Sequence, residues 1–467
     1  MLRSVSTSRC FKVMWKRFRL ARMNKALSNP TYRTLFTAQV IALLGTGLMT
    51  IALGLLAYDL AGDAAGAVLG TALFIKMITY VGLSPLLAAL TERLPRKPVL
   101  ITADLIRASV ALALPFVSAL WHIYGLIFLL QAASASFTPA FQATIPDVLK
   151  DEDTYTQALS LSRLAYDLEN LLSPALASLL LLVISFHGLF AGTVLGFLLS
   201  ALLVQSVSLP VVQTGPTARP FRERLMHGTR IYLATPRLRG LLSLNLTTSA
   251  IGAFVLVNTV VIVKSDYGMG DGALGLAMAA FGGGSMASAL LMPRLLQHMR
   301  ERDVMLPAAT FLTGFAFLLA GLFWGETLPA WPLFLALWGM IGAAYSAVLT
   351  PSGRLLRVSS HAKDRPAIFA AQFALSHACW LVTYPLAGWG GQAFGLPLTI
   401  LILGMLGLSG VFLATWYWPK KAEREIEHSH PELPPDHPHL LAHKGKGARH
   451  IHAFVIDDEH RVWPTHG

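Results

Sequence analysis

Glu169 is an acid in a costly place, inside an apolar run from residue 158 to residue 184. Around it stand Arg163, Tyr166, Asp167, Asn170 and Ser173. On a helix, Arg163, Asp167 and Asn170 share one stripe at i, i+4 and i+7. A second apolar run, 66–90, carries Lys76. If these runs cross a bilayer, Lys76 lies ~18 Å deep, and Asp167 and Glu169 ~14–18 Å deep, at 1.5 Å per residue. A charge near the bilayer centre costs ~2.5 kcal/mol or more, so it must be paired or hydrated. Arg163 and Asp167 can neutralise each other within their helix, whereas Glu169 points elsewhere, toward Ser162 and Ser173. Glu169 is therefore the carboxylate expected to load a proton or cation, with Asp167, Lys76 and Arg163 completing the coupling set. The plainer alternative is a fixed Glu169–Lys76 ion pair.

Asp104 and Arg107, at i and i+3 of the run 98–120, read as a structural intrahelical pair. His377 lies ~18 Å deep in the run 365–390, with Cys379 just beyond it. A lone histidine in lipid is usually a hydrogen-bonded packing residue. With Tyr166 and Asn170, however, His377 and Cys379 form a candidate substrate cavity whose donors suit a borderline divalent metal.

Residues 419–467 change character: they are proline-rich and hold nine of the 15 histidines. In an extended chain the H-x-H pairs 428/430, 437/439 and 450/452 put both imidazoles on one side. His428, His430, His437, His439, His443, His450 and His452 are the candidate metal ligands of this tract; a solvated tail that merely tolerates histidine is the alternative. No cofactor is expected beyond a divalent metal held loosely there. Residues 451–464 alternate and turn like a small hairpin.

The elements that must position these groups are membrane helices. The 467 residues are 54% hydrophobic and only 13% charged, against ~25% charged in soluble domains. Apolar runs at 34–58, 66–90, 98–120, 122–146, 158–184, 187–209, 240–264, 272–296, 304–324, 329–351, 365–390 and 396–418 each suffice to cross a hydrocarbon core. The fold class is therefore all-α, with about twelve transmembrane helices. Of 37 Lys and Arg, 33 fall in segments on one side of this topology, and Lys264 alone lies on the other. That asymmetry predicts both termini in the cytoplasm of a bacterial inner membrane, and it argues against a nucleic-acid-binding face. The net charge of +12 is topogenic on this reading.

The expected organisation is a basic segment 1–33, a first six-helix half 34–209, a linker 210–239, a second half 240–418 and the tail 419–467. A shift of 211 residues lays Pro174 on Pro385 and the pair of runs 122–184 on 333–395, as two parallel repeats would. Two cysteines build no disulfide framework. No phosphate loop or nucleophile elbow is present, which excludes the commonest enzyme and ATP-driven classes.

Residues 88–97, AALTERLPRK, resemble the major facilitator loop pattern G-x-x-x-D-R-x-x-R-[RK], with Ala88 for the glycine and Glu92 for the aspartate. The resemblance implies a gating role for Glu92, Arg93, Arg96 and Lys97. The stretches Thr138–Leu149 and Ala158–Ala177 look like the exporter branch, with Ser173 and Ala177 in place of glycines and Pro174 kept. Residues 29–209 also resemble bacterial nickel-resistance exporters of this superfamily. Together these imply a secondary transporter, monomeric, whose partners are lipid, protons and a small substrate. Proton-driven export of nickel or a related divalent ion is the leading expectation. Export of drugs, siderophores or other organic amphiphiles is the alternative, for which Trp331, Trp338, Met340, Tyr345, Trp380 and Tyr384 supply aromatic and methionine surface.

Overall fold

The protein is seen in a computed structural model that describes residues 25–83, 94–151, 183–210, 221–325, 328–360, 364–418, 425–429, 445–446, 449–456, 460 and 463. It also describes scattered positions between 152 and 182, Glu169 among them. Ten of the expected site residues, Glu92, Arg93, Arg163, Tyr166, Asp167, Asn170, His430, His437, His439 and His443, lie outside the described residues.

The first half begins with α1 (Pro30–Ala61) and α2 (Ala65–Ile78), which continues as a π-helical turn, Thr79–Leu83. α3 (Arg96–Ala113), α4 (Leu120–Val148) and α5 (Phe186–Ser206) follow. After α6 (Phe221–Ala234), the second half contains α7 (Pro236–Val261), α8 (Asp271–Leu295), α9 (Glu301–Trp324), α10 (Trp331–Leu349), the short α11 (Ser352–Val358) and α12 (Arg365–Tyr417). Among the described residues, nine helical runs are long and apolar enough to span a membrane. Two of them, of 54 and 51 residues, are far longer than a bilayer needs. Each folds back at a glycine of positive φ, Gly62 (54°) and Gly395 (78°), a conformation that a Cβ would strain. Split there, the runs make eleven spans among the described residues, with ends shifted by a few residues from those expected; the expected span around Glu169 is described only at scattered positions.

The helices close into bundles because their apolar faces meet at small residues. Gly45 and Gly196 bring α1 and α5 together, and Gly284 and Gly342 do so for α8 and α10. The run around Glu169 packs on α1: the Tyr32 hydroxyl donates to the Ala158 carbonyl at 3.0 Å, and Ser162 donates to Gln39 at 3.1 Å. A Cβ at Gly47 would lie 2.0 Å from the Ser173 hydroxyl. The close approach that the exporter pattern gives to a glycine at position 173 is thus supplied by a glycine on the facing helix. Asp151 caps the start of this run, accepting from Thr154 N–H at 3.2 Å and from its hydroxyl, with Lys25 Nζ at 3.2 Å. Those bonds, Thr154's first, hold the exposed carboxyl below the usual carboxylate range. Its contribution to stability is present at neutral pH and lost as the pH falls through that lowered value.

One end of the bundle carries most of the basic side chains, and there the halves repeat one another. Lys97, at the start of α3, donates to the Gln205 carbonyl at the end of α5 (2.7 Å). Arg302, at the start of α9, donates to the Trp418 carbonyl after α12 (2.6 Å). Each cation satisfies a carbonyl that a helix end leaves unpaired. A second clamp repeats with its charges exchanged. Arg96 of α3 meets Asp147 of α4 at 4.0 Å, whereas Glu301 of α9 meets Arg354 of α11 at 2.9 Å.

The tail adds a small sheet of order β1 (Glu425–Ser429), β3 (Arg449–Ala453), β2 (Gly445–Lys446), all pairs antiparallel. The register sets His428 opposite His450 and Ile426 opposite His452. Of the hairpin expected within 451–464, the described residues hold β3, which ends at Ala453, and a buried segment after it; residues 457–459, 461–462 and 464 lie outside the described residues. Phe454, Val455 and Ile456 fill the protein interior, and Arg237 of α7 donates to the carbonyls of Phe454 (3.3 Å) and Val358 (3.1 Å). The Arg237 guanidinium also lies 5.5 Å from the Trp463 ring centre.

Candidate ion-pair site between the halves

The halves meet most closely at the end opposite the basic one. A Cβ on Gly388 of α12 would lie 2.6 Å from the Gly66 carbonyl oxygen and 2.9 Å from Gly70 Cα. Three hydrogen bonds join the halves nearby: Trp389 Nε1 donates to Thr71 (2.9 Å), and Ser265 bonds to Tyr58 (3.0 Å) and to Asp63. Lys264, alone on its side by charge count, pairs with Asp271 at 2.5 Å and lies 5.4 Å from the Tyr58 ring centre.

Deeper in, Lys76 and Glu169 are electrostatic partners, and both are half-buried. Helical geometry alone had placed them at similar depth on different spans; the structure brings them together. Lys76 also borders a cavity of about 20 Å³ lined by Thr46, Thr50, Leu73 and Gln131, room for about one water. The same ammonium lies 5.8 Å from the ring centre of Tyr80, one turn on, a residue that sequence reasoning passed over. Its signal was the i, i+4 spacing from Lys76.

From the second half, α12 presents Phe373 and His377. Tyr80 meets their rings edge-on at 5.9 and 5.6 Å. His377 Nδ1 lies 2.7 Å from the Phe373 carbonyl. This is an aromatic packing role rather than the metal ligation weighed for His377. Cys379, two residues and thus ~200° farther round the helix, does not share that face. Its thiol donates to the Leu375 carbonyl at 3.5 Å, and its electrostatic neighbour is Tyr232 of α6. The described contacts of His377 and Cys379 thus lie on different faces of α12. Among the described residues, no three His, Cys, Asp or Glu gather as metal ligands would.

The aromatic surface divides. Trp338 is fully buried and donates to Thr259 at 2.9 Å, Trp331 stacks on Phe334, and Met340 faces outward, 45% exposed. Tyr345, Trp380 and Tyr384 gather within the second half, the first two against Gly252. Asp104 and Arg107 form the structural pair expected, with Ser200 donating to Asp104 at 2.7 Å. Arg107 lies 4.3 Å from the Phe137 ring centre and 4.6 Å from that of Phe197. Arg107→Gln would strand a buried carboxylate and is expected to cost about 3–5 kcal/mol. Thermal unfolding of the purified protein in detergent checks this, and an unchanged midpoint would refute it.

Two helical halves, which meet at a close glycine contact and share hydrogen bonds, match a known family model over residues 35–261 and again over 241–456. The chain belongs to the Major Facilitator Superfamily. Members are multi-pass transporters rather than enzymes. Macrolide efflux protein A of Streptococcus pyogenes is 23% identical over 391 residues, 82% of this chain and 91% of that protein. The uncharacterized MFS-type transporter YfiS of Bacillus subtilis is 26% identical over 385 residues, 80% of this chain and 89% of that one. The fold likewise matches the crystal structure of a D-xylose-proton symporter, with a TM-score of 0.60 and 16% identity over 83% of this chain and 96% of that one. As a facilitator, the chain moves a small substrate across a membrane.

Proposed function

We propose that this facilitator exports an organic amphiphile from the cell, driven by protons moving inward. One observation carries the reading: the lysine–glutamate pair of the first half lies beside Tyr80, whose ring meets Phe373 and His377 of the second half. The pair suits a driving ion, and ring surface suits a cargo that is apolar and cationic or weakly polar. Glu169 and Lys76 form the coupling core, with Asp167 and Arg163 as its extension and Tyr166 and Asn170 as further cavity residues. Both termini lie in the cytoplasm of the plasma membrane, by the distribution of Lys and Arg. The Gly66–Gly388 contact is then the outer seal, and the described arrangement faces inward. Arg96 and Lys97, with Glu92 and Arg93, set the inner gate.

Of the relatives described above, one is named for macrolide efflux and neither is named as a metal exporter. Nickel keeps the support of the sequence resemblance over 29–209 and of the histidine tract, less than the amphiphile now has. Expression in a bacterial strain deleted for its own pumps decides. We expect higher tolerance of a macrolide or lipophilic dye, abolished by an uncoupler, and unchanged nickel and cobalt tolerance. The opposite pattern would return the cargo to metal.

A further inference from the structure

We propose that Tyr80 is a positioning residue of the transport cycle, whose ring joins the Lys76 ammonium of the first half to Phe373 and His377 of the second. The inference rests on Lys76 and Glu169 acting as the coupling pair. Three independent features meet at Tyr80. Lys76 Nζ lies 5.8 Å from its ring centre, within the reach of a cation–π contact. Phe373 and His377 pack against the same ring at interplanar angles of 84° and 71°, the edge-on geometry that the aromatic quadrupole favours. And α2 abandons α-helical winding at this place, since Thr79–Leu83 is a π turn. Such turns are rare and concentrate at functional sites.

The partner face is held as one unit. Phe373 and His377 are one turn apart on α12, their rings are 3.9 Å apart, and His377 Nδ1 lies 2.7 Å from the Phe373 carbonyl. Separating the halves at the cleft would remove both rings from Tyr80. Lys76 therefore balances two attractions, the Glu169 carboxylate and a ring whose own packing exists in one arrangement of the halves. Loss of the Glu169 charge shifts Lys76 toward the ring and strengthens that arrangement. A local charge is converted in this way into a bias between two states of the molecule, as a bistable contact requires.

The test needs no knowledge of the cargo. With Cys10 and Cys379 replaced by serine, Thr50→Cys places a thiol in the cavity beside Lys76, and a membrane-impermeant maleimide added outside reads the population open to that side. Glu169→Gln is expected to change the labelling rate about tenfold in chains carrying Tyr80 or Tyr80→Phe, and less than about twofold with Tyr80→Leu. Equal responses in all three chains would overturn the proposal, as would Tyr80→Phe behaving like Tyr80→Leu. A transport arm separates this from the exporter reading. In proteoliposomes with radiolabelled erythromycin, Tyr80→Leu should lose about tenfold in gradient-driven accumulation while keeping exchange at zero gradient. Loss of both together would mark Tyr80 as merely structural. If the unmodified chain accumulates no erythromycin or dye, the exporter reading fails, and the labelling result still decides the role of Tyr80.

Discussion

Replacing Gly388 with valine is expected to abolish export while leaving a folded protein trapped open to the outside. The Cβ alone would lie 2.6 Å from the Gly66 carbonyl oxygen and 2.9 Å from Gly70 Cα, and both are backbone atoms that cannot swing aside. From the other side, a Cβ on Gly70 would lie 2.9 Å from Gly388 Cα and from the Tyr384 carbonyl oxygen. α2 and α12 must therefore separate by more than a few tenths of an ångström, which the hydrogen bond from Trp389 to Thr71 does not tolerate. An arrangement open at this end carries no such contact, so the substitution penalises one state and spares the other. A penalty of about 3 kcal/mol shifts a two-state population more than a hundredfold. Outside labelling of Thr50→Cys should rise to completion, with transport at background. Gly314→Val is the control, because nothing lies within 4 Å of a Cβ there. Gly388→Val that transports normally would mean the described contact is not the seal of the cycle.

The seal was legible in part. Gly66 and Gly70 are spaced i, i+4, the small-residue pattern of close helix packing, but their partner is more than 300 residues away and no local pattern announces it. The spans themselves were legible to within a few residues, since each must bury its backbone in lipid and so must be long and apolar. Lys76 and Glu169 were identifiable as costly charges, and their depths matched. Their pairing, and the ring of Tyr80 between them and α12, required knowing which helices are neighbours. Two further placements needed the same knowledge. His377 and Cys379 are two residues apart, yet helical rotation sends one toward Tyr80 and the other toward Tyr232. Arg237 counted only as one more topogenic charge, yet it seats the segment that follows β3. A charge tally sees sidedness and is blind to partners.

The second large effect concerns the coupling pair, and a double-mutant cycle separates its two readings. Glu169→Gln removes the counter-charge of Lys76 in a low-dielectric setting, where an unpaired ammonium costs ~2.5–3.5 kcal/mol on insertion scales. Lys76→Gln leaves Glu169 in the complementary position. Each single variant is expected to lose gradient-driven export by about a hundredfold and to lower the yield of intact protein. The neutral pair Lys76→Gln with Glu169→Gln relieves the stranded charge, so yield and thermal stability should return. If the pair is a fixed structural bridge, export returns with them. If Glu169 carries the proton, the restored protein exchanges cargo across the membrane but cannot accumulate it against a gradient, because nothing in the double variant gains or loses a proton at that place. We expect the second outcome. Gradient-driven accumulation by the double variant at the rate of the unmodified chain would show that the bridge is structural and that coupling belongs to another acid, with Asp167 the next to test.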